Sequence, residues 1–513
     1  MKRQDNRSFP IFSRILPAAI LALLLAFCAS CSENSPEQTK APVPVQISIM
    51  VPLHQTKPPA DSLMRRLEEL TGTRLDVQWI PEEIYTDKML NAIETGTLRQ
   101  VTFVNQADYG LVKNAIRSDM FWNIGPYLDS YPNLRKLSKS TLDETAVDGN
   151  YYGIYNERPA SRQGVFIRKD WLERLGLAVP GTIDELYRVM KAFTYDDPDG
   201  DGKQDTYGLT DRNDLVYGAF KTLSSYFGTP NNWLLSGDRL IPEFATGEYM
   251  DTMNFMKKLY DESLINRDFP VTSKQVQRYS MITGKAGVYI GSMPDAVRMR
   301  EEMKKVNPAA DLVLVNRIKG PKGYGVWSIP EYSGLFLFSR KSVKTEEELK
   351  TILGFFNRTL DPDVSNLMKY GVEGRHYILK DGKAVVPPDM FRLMNEEVLP
   401  MLSLMAQNLS NPNLLPLSTE QQDPFMQTVN RLVADNGNIL IRDPAEKLFS
   451  PTYDARWTEL NSIISNATYN YILGKIDAAG FRQELEIWKQ KGGSQVIREL
   501  EEAYRTRTAA SAK

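Results

Sequence analysis

Five carboxylates crowd into Asp196-Asp197-Pro198-Asp199-Gly200-Asp201-Gly202-Lys203-Gln204-Asp205, and no other feature limits the fold more. Their charges repel one another, so the segment must either stay solvated or close around a cation. The spacing favours closure. Asp197, Asp199, Asp201 and Asp205 hold places one, three, five and nine of a tight loop, with Gly202 at the sixth and the Lys203 carbonyl at the seventh. This is the oxygen pattern of an EF-hand loop over its first nine places. The glutamate wanted at place twelve is missing, because Gly208 stands there. A hard divalent cation that takes about six to eight oxygens suits such a set, calcium better than magnesium. No second loop follows, so a structural Ca2+ is expected rather than a switch.

The N-terminus reads as a targeting segment. Lys2 to Arg14 is basic, and the apolar run Ile15 to Phe27 is too short for a comfortable membrane span. A secretory signal peptide is therefore expected over residues 1–30. Cys28-Ala29-Ser30-Cys31 resembles the bacterial lipoprotein box, in which the thiol is diacylated and becomes the new N-terminus. Cys31 is the expected lipidation site, although Cys28 stands where the box usually has leucine. Residues 31–44, rich in Ser, Glu, Gln, Pro and Lys, then read as a lipidated cysteine and a flexible tether. Both cysteines lie in this box, which leaves the mature body none for disulfides, metal thiolates or nucleophilic catalysis. The formal net charge is −2, and four of the basic residues sit in the first fourteen positions. No basic stripe survives downstream, so nucleic acid is not an expected partner.

The 513 residues, 42% hydrophobic, suffice for roughly two to four ordinary domains with ample core. Val45 to Val51, Leu75 to Ile80 and Val101 to Val104 read as strands, with helices at Ser62 to Leu70 and Tyr85 to Glu94 between them. Such alternation predicts an α/β fold with a mainly parallel sheet covered on both faces. Thr182 and Glu185 form a capping box that starts a helix running to Phe193, straight into the acidic loop. From Glu346 onward the pattern is mainly helical.

An ordered series of loose motifs follows. Ile124-Gly125-Pro126-Tyr127-Leu128 comes first, then Asp148-Gly149-x-Tyr151-Tyr152-Gly153-Ile154, Ile167-Arg168-Lys169-Asp170-Trp171-Leu172, Pro180-x-Thr182-x-x-Glu185-Leu186 and Asp197-Pro198-Asp199-Gly200. Later come Phe255 to Ile265, Gly284 to Val288 and Tyr370 to Tyr377. The order, together with the lipoprotein start, resembles the family 1 extracellular solute-binding lipoproteins of carbohydrate ABC importers. The likeness is to the branch with an embedded calcium loop, which includes alginate-oligosaccharide-binding proteins. It implies a two-lobed periplasmic-binding-protein-like fold of type II with a helix-rich C-terminal part. Carried over, lobe one would be 45–160 plus 286–335, and lobe two 161–285 plus 336–513 with the calcium loop and helical tail. The ligand set would be Asp197, Asp199, Asp201, the Lys203 carbonyl and Asp205; Thr206 stands where relatives often carry an acidic residue. The chain would be a monomer held by its lipid on the outer face of the cell membrane. It would deliver a carbohydrate to the permease subunits of an importer.

A sugar cleft needs aromatic faces and polar groups near the crossovers. The residues that answer this are Tyr152, Tyr155, Glu157 and Arg158 before the first crossing, and Tyr226, Asn231, Asn232 and Trp233 in lobe two. Ser292, Met293 and Trp327 complete the set. Ordinary packing is the competing reading of each aromatic, and Glu157 with Arg158 also reads as a solvated pair. Only two histidines occur, His54 and His376, without HExxH or triad neighbours, and both read as structural or surface residues. An enzyme is not expected, although carboxylates sufficient for glycoside hydrolysis are present. A receptor of similar fold that binds a peptide or a signalling partner is the alternative reading.

Overall fold

The structure, a computed structural model, describes residues 45–407, 409–418 and 423–511; the signal segment, Cys31 and the tether lie outside the described residues. The expected strand–helix alternation is present. Strands β1 (Val45–Leu53), β2 (Thr73–Pro81) and β3 (Val101–Asn105) are separated by helices Asp61–Thr71 and Glu82–Thr95. β1 runs parallel to both β2 and β3. With β4 (Gly153–Glu157) and a late strand, Tyr332–Phe338, they make a five-stranded sheet. The late strand is antiparallel to β3 and β4, and its Leu335 to Phe338 are fully buried.

A second sheet begins after β4. It contains β5 (Gln163–Arg168) and β6 (Tyr207–Thr210), followed by β9 (Ala286–Ser292) and β10 (Leu312–Val315); the hairpin β7 (Trp233–Ser236) and β8 (Arg239–Pro242) stands apart. β5 and β9 read as continuous apolar runs because both faces are covered. Gly287 of β9 has a packing reason to be glycine: a Cβ there would lie 2.1 Å from Phe193 and 2.7 Å from Trp171. Those two rings meet edge to face at 5.3 Å. Helix Ile183–Tyr195 is thereby pressed onto β9, and the acidic loop at its end is fixed to the second sheet. Thr182 Oγ accepts from Glu185 N at 3.2 Å as the capping box requires, while Glu185 reaches Gly181 N at 2.8 Å.

The lobe boundaries differ from the expected ones. Residues 286–315 belong to the second sheet, not to lobe one. Helices Glu346–Thr359 and Pro362–Tyr370 and the turn Leu399–Leu404 pack into the core of the first sheet, not into lobe two. Ala286 to Ile290 and Leu335 to Phe338 are both apolar runs, and composition cannot say which sheet accepts which run. The chain crosses between the lobes at 158–162 and at 328–331. It returns to the second lobe after Ala406, since Val429 and Leu432 pack with Phe166 and Met299. Among the described residues no helix is long and apolar enough to cross a membrane.

Candidate functional site

Between the lobes lies a cavity of about 510 Å³. Gln106, Ala107 and Lys113 border it from the first lobe, Ser328 to Pro330 from a crossing, and Tyr217, Lys221, Trp233, Trp327 and Trp457 from the second. Its position at a strand end of the second sheet is where open α/β sheets place ligands, since Tyr217 belongs to the loop after β6. A second cavity of about 340 Å³ shares Lys221, Asn232, Trp233, Tyr453 and Trp457 with it.

Aromatic faces and polar groups converge here. Tyr217 meets Trp327 edge to face with centroids 5.6 Å apart, and Tyr453 meets Trp457 at 5.2 Å. Trp327 is held by its indole N–H, which donates to Thr222 Oγ at 3.0 Å, whereas Tyr217 is partly open to solvent. Buried Lys221 donates to Glu243 Oε2 at 2.5 Å and to Asn232 Oδ1 at 2.9 Å. Asn232 Nδ2 in turn donates to Asp443 Oδ2 at 2.9 Å. Burial pushes the Asp443 carboxyl up to about 6. Burial, then the charges of Glu144 and Asp443, push Glu446 up to about 7. The same segment touches the first lobe: Lys447 Nζ donates to Ser140 O at 3.2 Å, and the Arg117 guanidinium sits 4.3 Å from the Phe449 ring centroid.

Of the residues expected in the cleft, Asn231, Asn232, Trp233 and Trp327 border the cavity. The others do different work. Tyr155 is buried in the first core with its hydroxyl accepting from Ser138 N at 2.8 Å, and Tyr226 and Met293 are core residues of the second lobe. Tyr152 packs against the first core, and Ser292 pairs with Gln163 in the second sheet. Glu157 accepts from Leu409 N at 2.8 Å and Ser410 N at 2.7 Å, so it pins a loop rather than pairing with Arg158. Arg158 borders a neighbouring cavity and reaches Gln106 Oε1 at 3.5 Å. His376 is buried, accepting from Val372 N at 3.0 Å, a structural histidine as expected.

The acidic loop has the backbone of a cation loop. Gly200 and Gly202 take φ of 73° and 79°, and Asp197 takes 47°. These left-handed turns let Gly200 N and Gly202 N donate to Asp197 at 3.0 and 3.1 Å. One carboxylate oxygen each from Asp197, Asp199 and Asp201 lies within 4.8 Å of the others. Asp199 Oδ1 is shut off from solvent without a hydrogen-bond partner, and its pKa is raised by burial and then by Asp201. Asp205 stands apart from this trio and binds Lys285 at 2.8 Å, while the Lys203 side chain binds Asp201 at 2.8 Å. The Thr206 hydroxyl faces the helix, donating to Phe193 O at 2.9 Å.

Residues 56–341 match a family described as bacterial extracellular solute-binding protein. A relative in Bacillus subtilis (strain 168), the polygalacturonan/rhamnogalacturonan-binding protein YtcQ, is 44% identical over 96% of this chain and 98% of its own. The chain belongs to the bacterial extracellular solute-binding proteins. Membership makes it a binding protein, not an enzyme. Lipoprotein LipO of the same organism is 33% identical over 95% of this chain and 97% of its own. Among solved structures, the alginate-binding protein AlgQ2, described without calcium ion, is similar at a TM-score of 0.68 and 17% identity, covering 91% of this chain and 99% of that one. That likeness shows the two-lobed fold.

Sequence reasoning missed Tyr217, Lys221, Tyr453, Trp457 and Lys113 in this binding protein. Tyr453 and Trp457 stand four apart on helix Pro451–Ile472, a spacing that equally marks a core face. Tyr217 carried a usable signal, since it follows the polar run Asp211 to Asp214 directly after a strand.

Proposed function

We propose that this solute-binding protein captures an oligosaccharide derived from an acidic polysaccharide, of the polygalacturonan or rhamnogalacturonan class, and presents it to an ABC importer. The observation that carries this reading is the interlobe cavity with its Tyr217–Trp327 pair beside a polar rim. Flat apolar faces with convergent donors and acceptors suit pyranose rings. The 44% end-to-end identity with YtcQ narrows the sugar class. The crossings at 158–162 and 328–331 serve as hinges, and the ligand stabilises the closed form by its greater affinity for it. Lipidation at Cys31 tethers the chain to the cell surface, a reading supported by the likeness to LipO. A calcium ion ties the acidic loop together through Asp197, Asp199 and Asp201, for which the orphaned Asp199 oxygen is a fitting donor; the Lys203 carbonyl and Asp205 complete the proposed set. The ion supplies charge neutralisation and does not enter the cleft.

A thermal-shift panel tests the cargo. The purified protein in saturating calcium is melted with oligogalacturonides, rhamnogalacturonan fragments, neutral glucans and a peptide mixture. A ligand at about a hundred times its Kd stabilises by about 2.7 kcal/mol. A shift confined to the acidic glycans is expected; a shift from peptides alone overturns the reading.

A further inference from the structure

We infer that Arg117 is a positioning residue for ligand capture: it latches the first lobe to Asp454 and Phe449 of the second, and so fixes the span of the cleft between Lys113 and the Tyr453–Trp457 pair. This rests on the reading above that the cavity between the lobes receives the cargo.

Two helix ends meet across the lobes here. Arg117 is the last residue of helix Tyr109–Arg117, whose Val112 and Ile116 are buried in the first core. Asp454 lies in the first turn of helix Pro451–Ile472, which packs through Leu460 and Ile464 with Trp233 and Trp488 of the second lobe. A cation at a helix C-terminus and an anion at an N-terminus are each favoured by their own helix dipole. Arg117 Nη1 lies 3.6 Å from Asp454 Oδ2, and the guanidinium carbon lies 4.3 Å from the Phe449 ring centroid. Within its own lobe, Arg117 Nε donates to Asp148 Oδ2 at 3.2 Å, so one guanidinium ties both lobes. Asp454 Oδ2 is shut off from solvent and, among the described residues, accepts no hydrogen bond. A carboxylate oxygen in that state is costly unless a cation offsets it, and Arg117 is that cation.

The same two helices carry walls of the cleft. Lys113 stands one helical turn before Arg117, and Tyr453 is the neighbour of Asp454. Lys113, Tyr453, Asp454 and Trp457 all border the main cavity. The start of the second helix is firmly held. Ser450 Oγ accepts from Tyr453 N at 3.0 Å, and Glu499 accepts from Ser450 Oγ at 2.6 Å and from Thr452 N at 3.0 Å. A latch between these helix ends therefore sets how far Lys113 stands from the aromatic pair. An exposed ion pair contributes little, but the Arg117 and Asp454 side chains are only 25% and 21% exposed, and the Phe449 ring adds a cation–π contact. Separating the lobes breaks both contacts. They stabilise the closed form alone, so they act on the escape of a ligand rather than on its capture.

The test follows trigalacturonate binding by surface plasmon resonance on wild-type protein, Arg117→Ala, Asp454→Asn, the double variant and Asp148→Asn. Arg117→Ala is expected to speed dissociation about fivefold with the association rate little changed. Most of that effect should vanish in the Asp454→Asn background, since the two residues share one interaction. Asp148→Asn, which alters a contact within the first lobe only, should leave both rates near those of the wild type. Small-angle X-ray scattering supplies a second readout. At saturating trigalacturonate the radius of gyration of Arg117→Ala should stay above that of the wild type, which a residue bracing only its own lobe would not cause. Unchanged dissociation, or an Asp148→Asn effect equal to that of Arg117→Ala, overturns the latch and leaves the functional reading intact. Wild-type protein that ignores trigalacturonate overturns the functional reading; the same rates, measured on whichever ligand of the thermal-shift panel does bind, then decide the latch.

Discussion

The acidic loop and the cleft are both polar sites, yet they are built on opposite plans. The loop draws its groups from nine consecutive positions, and its own glycines set the turn, so the chemistry is local. The cleft draws Lys113, Tyr217, Trp327 and Trp457 from four distant segments and two lobes. A local site can hold an ion without any movement of the protein. A site divided between lobes couples binding to their relative position, which is what a receptor that signals occupancy to a membrane partner requires. The two should therefore fail independently, the loop through stability and the cleft through affinity.

Calcium removal is the largest expected break. At about a hundred times its Kd the ion contributes about 2.7 kcal/mol, so chelator should lower the melting temperature by several degrees. Asp199→Ala together with Asp201→Ala should lower it to the same level in calcium, and chelator should then do nothing further. Glycan affinity measured well below the melting point should persist. Melting that ignores both the substitutions and the chelator removes the structural ion from the account.

The reverse dissociation is expected of Tyr217→Ala. The ring is partly exposed, its backbone carbonyl still accepts from Arg212 at 2.6 Å, and no side-chain hydrogen bond is lost. Affinity for the glycan should fall about tenfold, the usual scale for an aromatic anchor, with melting unchanged without ligand. A drop in melting with affinity intact would place Tyr217 in the core and move the cleft elsewhere.

This contrast also explains what the sequence disclosed. Thr182 with Glu185 and the first three strands are short-range patterns, and each lies where the sequence predicts; of the loop carboxylates Asp197, Asp199 and Asp201 converge, whereas Asp205 pairs with Lys285. Lobe membership is long-range: Ala286 to Ile290 looks like Leu335 to Phe338 until pairing partners are known, and the two were exchanged. Asn231, Asn232 and Trp233 border the cavity from a polar loop, and Trp327 borders it from beside the second crossing. Tyr155, Tyr226 and Met293 were misread because a bulky residue beside a strand or on a helix serves a core as readily as a cleft.

The segment Asp443 to Leu448 joins both plans, being local in sequence and placed against both lobes, and pH gives the smallest and most specific test of it. Glu446 has its pKa pushed up to about 7 by burial, with Glu144 of the first lobe and Asp443 adding to the effect. In the unfolded chain its pKa returns to the ordinary range, about 4.3. Between these values the native state holds a proton that the unfolded chain releases, so stability falls as pH rises from about 4.5 to about 7 and then levels off. Glu446→Gln stays neutral throughout and removes this share of the slope. Its melting temperature should exceed that of the wild type by about 1–2 °C at pH 8, and the gap should close towards pH 5. Parallel curves would mean that Glu446 is solvated and does not feel Glu144, and the contact of this segment with the first lobe would then be looser than Lys447 and Ser140 indicate.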